Sequence, residues 1–173
     1  LDQTFDAVNT LDGAPAYTEN GAPVVLDADV QIYDAQLSTA GNFSGATLTL
    51  ARNGGASAQD VFSATGTLSS ISASSGSVVV GGTTIGTYTN SAGTLILSFS
   101  ASATNTLVYS TLQQVAYANS GDAPPASAQI DWTFNDGNSG AQGTGGALTA
   151  LGSTTVTIAA VNDAPMVADT VLN

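Results

Sequence analysis

In QIDWTFND, residues 129–136, Ile130, Trp132 and Phe134 occupy every second position, with Asp131 and Thr133 between them. An alternation of this kind fits a strand with one face in the core and one in solvent; an amphipathic helix would need apolar residues three and four apart. The pattern recurs. Ala46, Leu48 and Leu50 share one side of ATLTL, and Leu95, Leu97 and Phe99 share one side of TLILSFS. In STTVTIAAV, Val156, Ile158 and Ala160 alternate with threonines. Thr and Val both suit a pleated, half-buried surface. RNGGAS, SSGS, VGGT and NDGNSG fall between these segments as turn signals. Many short strands closed by glycine turns predict an all-β chain of antiparallel sheets packed as a sandwich. At 173 residues the chain is long enough to bury a substantial core.

One segment departs from period two. In SATNTLVYSTLQQVAYANS, Val108, Leu112 and Val115 stand at i, i+4 and i+7, and Thr104 or Asn105 can cap the start. This spacing predicts one short helix over 106–113, then a strand near 115–118, with the helix plugging an end or side of the sandwich. Residues 137–152 are glycine-rich and read as a long loop. The domain proper is expected over 15–161, with an incoming linker at 1–14 and an outgoing linker, or the start of a next repeat, at 162–173. Ala7-Val8-Asn9 recurs as Ala160-Val161-Asn162, as two borders of one repeat unit would. No secretion leader is visible at the start, so the sequence is expected to be a piece of a longer chain.

Composition removes most chemistries. There are 13 acidic residues and one basic residue, Arg52, for a formal charge of −12. That balance repels nucleic acid and anionic membranes and attracts cations. No apolar run approaches the ~20 residues that span a bilayer. The absence of Cys rules out disulfides and thiolate metal sites. The absence of His rules out an imidazole base and the ordinary zinc and iron sites. Without Lys there is neither a Schiff base nor a Lys–Asn crosslink, and serine catalysis lacks its base. The chain is expected not to be an enzyme. Its remaining metal chemistry is oxygen ligation, which suits hard cations and calcium above all.

The carboxylates gather at segment ends: Asp27, Asp29 and Asp34, then Asp122, then Asp136, and those of the two linkers. Glu19 is the only glutamate. Several carboxylates converging on one end repel one another unless a cation sits between them.

From AVNTLDGAPAYTENG to AVNDAP the chain resembles the cadherin-like repeats of very large secreted bacterial adhesins. YTENGAPVVLDADVQIYDAQ resembles the cadherin opening, a Pro-Glu-Asn followed by a strand ending in Asp-x-Asp; here the parts are Glu19-Asn20 and Asp34-Ala35-Gln36. AGNFSGATLTL places Asn42 after a Gly, WTFNDGNSG supplies Asp136, and TVTIAAVNDAP is similar to the closing Asp-x-Asn-Asp-Asn-Ala-Pro. TLVYSTLQQVAYANSGDAP resembles the helix–strand element of the longer bacterial versions. The resemblance implies an antiparallel Greek-key sandwich of cadherin/immunoglobulin-like type, with calcium bound where consecutive domains meet. Carried over by position, the N-terminal pole would use Asp34, Gln36, Asn42 and Asp136, with Asn9 and Asp12 from the incoming linker. The C-terminal pole would use Glu19, Asn162 and Asp163, with Asp122 at the same end. Gln36 stands where the second Asp belongs, and the outgoing linker lacks its leading Asp and third amide, so one or two ions per junction are expected. Asp27 and Asp29 have no cadherin counterpart and either bind an ion near the N-terminal pole or cap a turn.

Other sites fail on their own terms. GTGGALTALG has the glycines of a calcium-binding β-roll but not the aspartate, and DGNSGAQGTGGA ends in Ala147 where an EF-hand needs Glu. Asp131 with Asp136 is a nominal glycosidase pair with nothing else to support it. Asn42-Phe43-Ser44 matches a glycosylation sequon that arises readily by chance, and the spacing of Trp132 makes it core rather than a sugar platform. Three functions remain: a calcium-stiffened extender repeat of a cell-surface adhesin, with neighbouring repeats and homotypic contacts as partners; a glycan- or protein-binding module using the 137–152 loop; and a surface-layer or filament subunit using MVADTVLN to complete a neighbour's sheet.

Overall fold

The computed structural model describes residues 11–163. Ten strands and two helices follow in the order β1 (Ala16–Thr18), β2 (Val24–Val25), α1 (Ala35–Ala40), β3 (Thr47–Arg52), β4 (Asp60–Ala64), β5 (Ser75–Val80), β6 (Thr83–Ser91), β7 (Thr94–Phe99), α2 (Asn105–Leu112), β8 (Val115–Asn119), β9 (Ser127–Asn135) and β10 (Thr149–Ala159). They form a seven-stranded sheet, ordered β1-β10-β9-β3-β7-β6-β5, and a three-stranded sheet, ordered β2-β8-β4. The chain is an all-β, two-sheet sandwich.

The alternation explains the core. In register, Leu50 lies between Trp132 and Leu95, and Leu48 between Phe134 and Leu97, so β9, β3 and β7 present two apolar rungs on one face. All six are buried, and Ile130, Val156 and Ile158 extend the same face. Phe62 and Tyr117 of the smaller sheet pack edge-on at 6.1 Å, and Tyr17 meets Tyr117 edge-on at 6.3 Å. Ala160 belongs to the sequence alternation but is exposed, because β10 has ended at Ala159.

The helix–strand element stands where expected: Thr104 caps α2 by accepting from the Leu107 amide, and Val108 and Leu112 are buried. Three expectations are corrected. There is a second helix among the described residues, α1, where the sequence reading placed a strand ending; Asp34 Oδ1 accepts from the Gln36 and Leu37 amides, and Gly41 closes the helix in the left-handed conformation. Such a carboxylate cap stabilises a short helix by about 1 kcal/mol. The glycine-rich loop ends at Leu148, since 149–152 pair with β9 as the first part of β10. SSGS is not a turn; its last three residues open β5.

Arg52, the single basic residue, lies at the end of β3 and forks onto Asp60 of β4, with Nε–Oδ2 at 2.8 Å. Asp60 also accepts from the Tyr117 hydroxyl at 2.6 Å and from Asn119 Nδ2 at 3.2 Å. This network joins the two sheets. Burial, then the hydrogen bond to Asp60, pushes the Tyr117 phenol up to about 12. Its unfolded value is about 10. A phenol whose folded pKa is raised leaves stability unchanged below the unfolded value and removes it above, because the unfolded chain ionises first. Unfolding free energy is therefore expected to fall between pH ~10 and ~12, by on the order of 2–3 kcal/mol from this group. Denaturant titrations across that range, with tyrosinate absorbance on the native protein, check it. Ionisation of every tyrosine near pH ~10 with no loss of structure would refute it.

Candidate metal centre

The chain runs in one direction through the incoming and final strands. Leu11 lies against Gly152 near the start of β10; β1 then pairs in parallel with the end of β10, Ala16 opposite Thr157. Two close approaches seat the incoming segment. A Cβ on Gly152 would come 2.5 Å from Leu11 Cδ2, and a Cβ on Gly13 would come 2.3 Å from the Leu26 carbonyl oxygen. At Gly13 the obstacle is backbone, so no side chain fits there; at Gly152 it is the end of the Leu11 side chain, which would have to move aside. The Gly13 amide donates to Asp27 Oδ2 at 2.8 Å.

This seating brings Asp12 to Asp27 and Asp29. One carboxylate oxygen from each lies within 4.8 Å of the others, the one such acidic group among the described residues. Asp27 is buried, whereas Asp12 and Asp29 are exposed. Asp27 Oδ1 accepts from the Asp29 amide at 3.1 Å, so Asp27 also caps a turn. Asp29 is held above the ordinary carboxylate range, first by its side-chain contact with Asp27, then by desolvation and the charges of Asp27 and Asp12. The like charges of Asp27 and Asp12 are the lesser part of that shift, and it is this part that a divalent cation would relieve.

The N-terminal pole gathers other expected residues. Asp34, Gln36 and Asp136 line one cavity of about 230 Å³ together with Asn138 and Gln142, which the sequence reading did not single out. Asp136 is buried, its Oδ1 accepting from the Asn138 and Leu148 amides at 3.0 Å each. Gln142 Oε1 is shielded from water without a hydrogen-bond partner. Asn42 is offset: it lines a neighbouring larger cavity with Gln36 and Gln142, and its own Oδ1 accepts from the Ser44 amide at 3.1 Å. Asp12 joins Asp27 and Asp29 instead of this pole, and Asn9 lies outside the described residues.

At the C-terminal pole, buried Glu19 holds the outgoing chain. Its amide donates to the Ala159 carbonyl at 2.9 Å, and its Oε2 accepts from the Val161 amide at 2.7 Å, while Oε1 is buried with no partner. Asn162 and Asp163 follow directly and are exposed, as is Asp122 beyond the end of β8. Glu19, Asp122 and Asp163 do not form a close carboxylate trio. The nominal glycosidase pair is placed apart: Asp131 takes hydrogen bonds from Asn53 and Gln129 on the sheet surface, while Asp136 is buried beneath the 137–148 loop. Trp132 is core, 3% exposed. Among the described residues no helix is long and apolar enough to cross a membrane.

No family model matches the chain, and no curated protein or solved structure matches it.

Proposed function

We propose that the chain is a calcium-binding structural module, a cadherin-like repeat of Greek-key, immunoglobulin-like type in a large secreted adhesin at a bacterial cell surface, serving cell adhesion and biofilm formation. The observation that carries this reading is the meeting of Asp12, from the incoming segment, with Asp27 and Asp29, from the body of the sandwich. Three carboxylates in an already acidic chain favour a cation, and an all-oxygen set suits Ca²⁺, whose six to eight ligands at about 2.3–2.6 Å leave room for carbonyls and water. An ion there fixes the incoming segment to the domain. Two further features support the reading. The parallel run of β1 beside β10 sends the chain in and out in the same sense, as a head-to-tail array of neighbouring repeats requires. The poles carry Asp34, Gln36 and Asp136 at one end and Glu19 on the outgoing chain at the other.

Extracellular calcium modules bind at about 10⁻⁴–10⁻³ M. At ~10 mM Ca²⁺ such a site adds about 1.4–2.7 kcal/mol, a rise in melting temperature of roughly 3–10 °C. Differential scanning calorimetry against calcium, with magnesium as control, reads this directly. The double variant Asp12→Asn/Asp29→Asn should abolish most of the shift without lowering metal-free stability, because it removes repulsion. An unchanged melting temperature at ~10 mM Ca²⁺, or a shift that survives the double variant, would falsify the triad as the site. Scattering from a tandem two-repeat protein tests the stiffening: its maximum dimension should grow with calcium.

A further inference from the structure

β1 and β10 lie side by side at one edge of the larger sheet and run in the same sense, Ala16 opposite Thr157, Tyr17 opposite Ile158 and Thr18 opposite Ala159. Leu11 meets Gly152 at the same sequence offset, so the incoming chain approaches β10 in that register before β1 begins. Backbone bonds extend the pairing at each end: the Thr157 amide donates to the Pro15 carbonyl at 3.0 Å, and the Glu19 amide to the Ala159 carbonyl at 2.9 Å. Beyond them the buried Glu19 carboxylate accepts from the Val161 amide at 2.7 Å. Tyr17 ties β1 to the smaller sheet as well. Its ring stands edge-on to Tyr117 at 6.3 Å, and its hydroxyl donates to the Asn119 carbonyl at 3.1 Å. β10 is paired on its other side with β9, from Thr149 to Thr157.

This arrangement decides how the domain answers a pull. Tension on the incoming segment draws β1 toward its own N-terminal end, and tension on the outgoing segment draws β10 toward its C-terminal end. Because the strands are parallel, the two pulls slide them past one another and load every bond between them at once. In an antiparallel pair the pulled ends would lie together and the bonds would open one by one. Glu19 adds a charge-assisted bond where the outgoing chain leaves, and such bonds are stronger than neutral ones. Tyr17 cannot slide without leaving Tyr117 and Asn119. We propose that β1, β10 and the Glu19 and Tyr17 side chains form a force-bearing clamp that keeps the domain folded under lengthwise tension. The use of the clamp rests on the repeat-array function proposed above, in which tension passes from one repeat to the next; its strength needs neither a neighbour nor calcium.

The test holds single molecules at one fixed force in EDTA and reads the lifetime of the folded state. The chain has no cysteine, so a thiol handle can be placed at one chosen position. Pulling by the first and last residues loads the clamp in shear. Pulling by the last residue and Ala22→Cys, an exposed position just past β1, puts both handles at the same end of the β1–β10 pair and opens it from there. The end-to-end lifetime should be at least ~10-fold longer, since forced unfolding is governed by the unfolding rate. Glu19→Ala should shorten the end-to-end lifetime by ~10-fold or more, the loss of a charged hydrogen bond, and Tyr17→Phe by about threefold, the loss of a neutral one. Gln129→Ala, on the exposed face of β9, should leave it unchanged. If Glu19→Ala fails to fold, Glu19→Gln replaces it; it keeps a neutral acceptor and should shorten the lifetime about threefold. The proposal is overturned if the two geometries give the same lifetime, or if the end-to-end lifetime survives the Glu19 variant or Tyr17→Phe. The measurement precedes any calcium, so its failure bears on the clamp, whereas a missing calcium response bears on the acidic triad.

Discussion

Arg52→Met should lower the unfolding free energy by about 3–5 kcal/mol, the cost of stranding one partner of a buried ion pair. The Asp60 side chain is completely shielded and that of Arg52 is 19% exposed. Without the guanidinium, Asp60 keeps two neutral donors, Tyr117 and Asn119, for a full negative charge. Removing the charge as well, in Arg52→Met/Asp60→Asn, should recover part of the loss: the amide oxygen keeps Tyr117 and Asn119 as donors, while the amide NH2 is left without an acceptor, which costs less than a stranded charge. The difference between single and double variants in urea titrations isolates the stranded charge. A single-variant loss under ~1 kcal/mol would mean that the pair behaves as a surface salt bridge. The network matters because β3 belongs to the larger sheet and β4 and β8 to the smaller, so one cation ties the sandwich across its layers.

The sandwich was legible because burial on one face of a strand leaves a period-two trace, as at Ile130, Trp132 and Phe134. Where that trace fails, so does the reading. The first four residues of β10 carry Ala150 and Gly152 and expose Leu151, so their pairing with β9 is a backbone matter without an apolar rhythm. α1 buries only Leu37, too little for a helical period to show over six residues. Its signals were local: Asp34 as cap and Gly41 as stop. Asp34 also stands as the first Asp of the Asp-x-Asp pattern, so one residue fits both a strand ending and a helix cap.

The candidate site was legible in residue type and not in grouping. Asp34, Gln36 and Asp136 do share a cavity. Asp12, expected with them, sits with Asp27 and Asp29, and its position is tied to the contacts of Gly13 with Asp27 and of Leu11 with Gly152, 14 and 141 residues apart in sequence, so no local pattern marks them. The amides of Asn138 and Gln142 were hidden in a glycine-rich loop; the one available signal was their spacing from Asp136, at positions two and six beyond it. Asp27 caps a turn through Oδ1 and also faces Asp12 and Asp29, so the two readings of this residue do not exclude one another.

Phe43→Ala should cost about 3–5 kcal/mol, the range for deleting a buried aromatic ring. Phe43 is fully buried and sits edge-on to Phe134 at 6.0 Å and to Phe99 at 6.3 Å. Its amide donates to the Ala103 carbonyl, and its carbonyl accepts from Ala46, so the ring pins the turn between α1 and β3. That turn carries Asn42 and Ser44 beside Gln36 at the N-terminal pole. Phe43→Leu keeps most of the volume and should lose roughly 1.5 kcal/mol or less. Phe43→Ala also separates the two places where calcium can act. The ring contacts of Phe43 are with Phe99 and Phe134 and its backbone bonds with Ala103 and Ala46, so ion binding at the triad of Asp12, Asp27 and Asp29 should raise the melting temperature of Phe43→Ala by as much as that of the parent. Were the ion instead held by Asp34, Gln36 and Asp136, loosening the turn beneath that cavity would weaken binding, and the calcium-linked shift would shrink along with the stability.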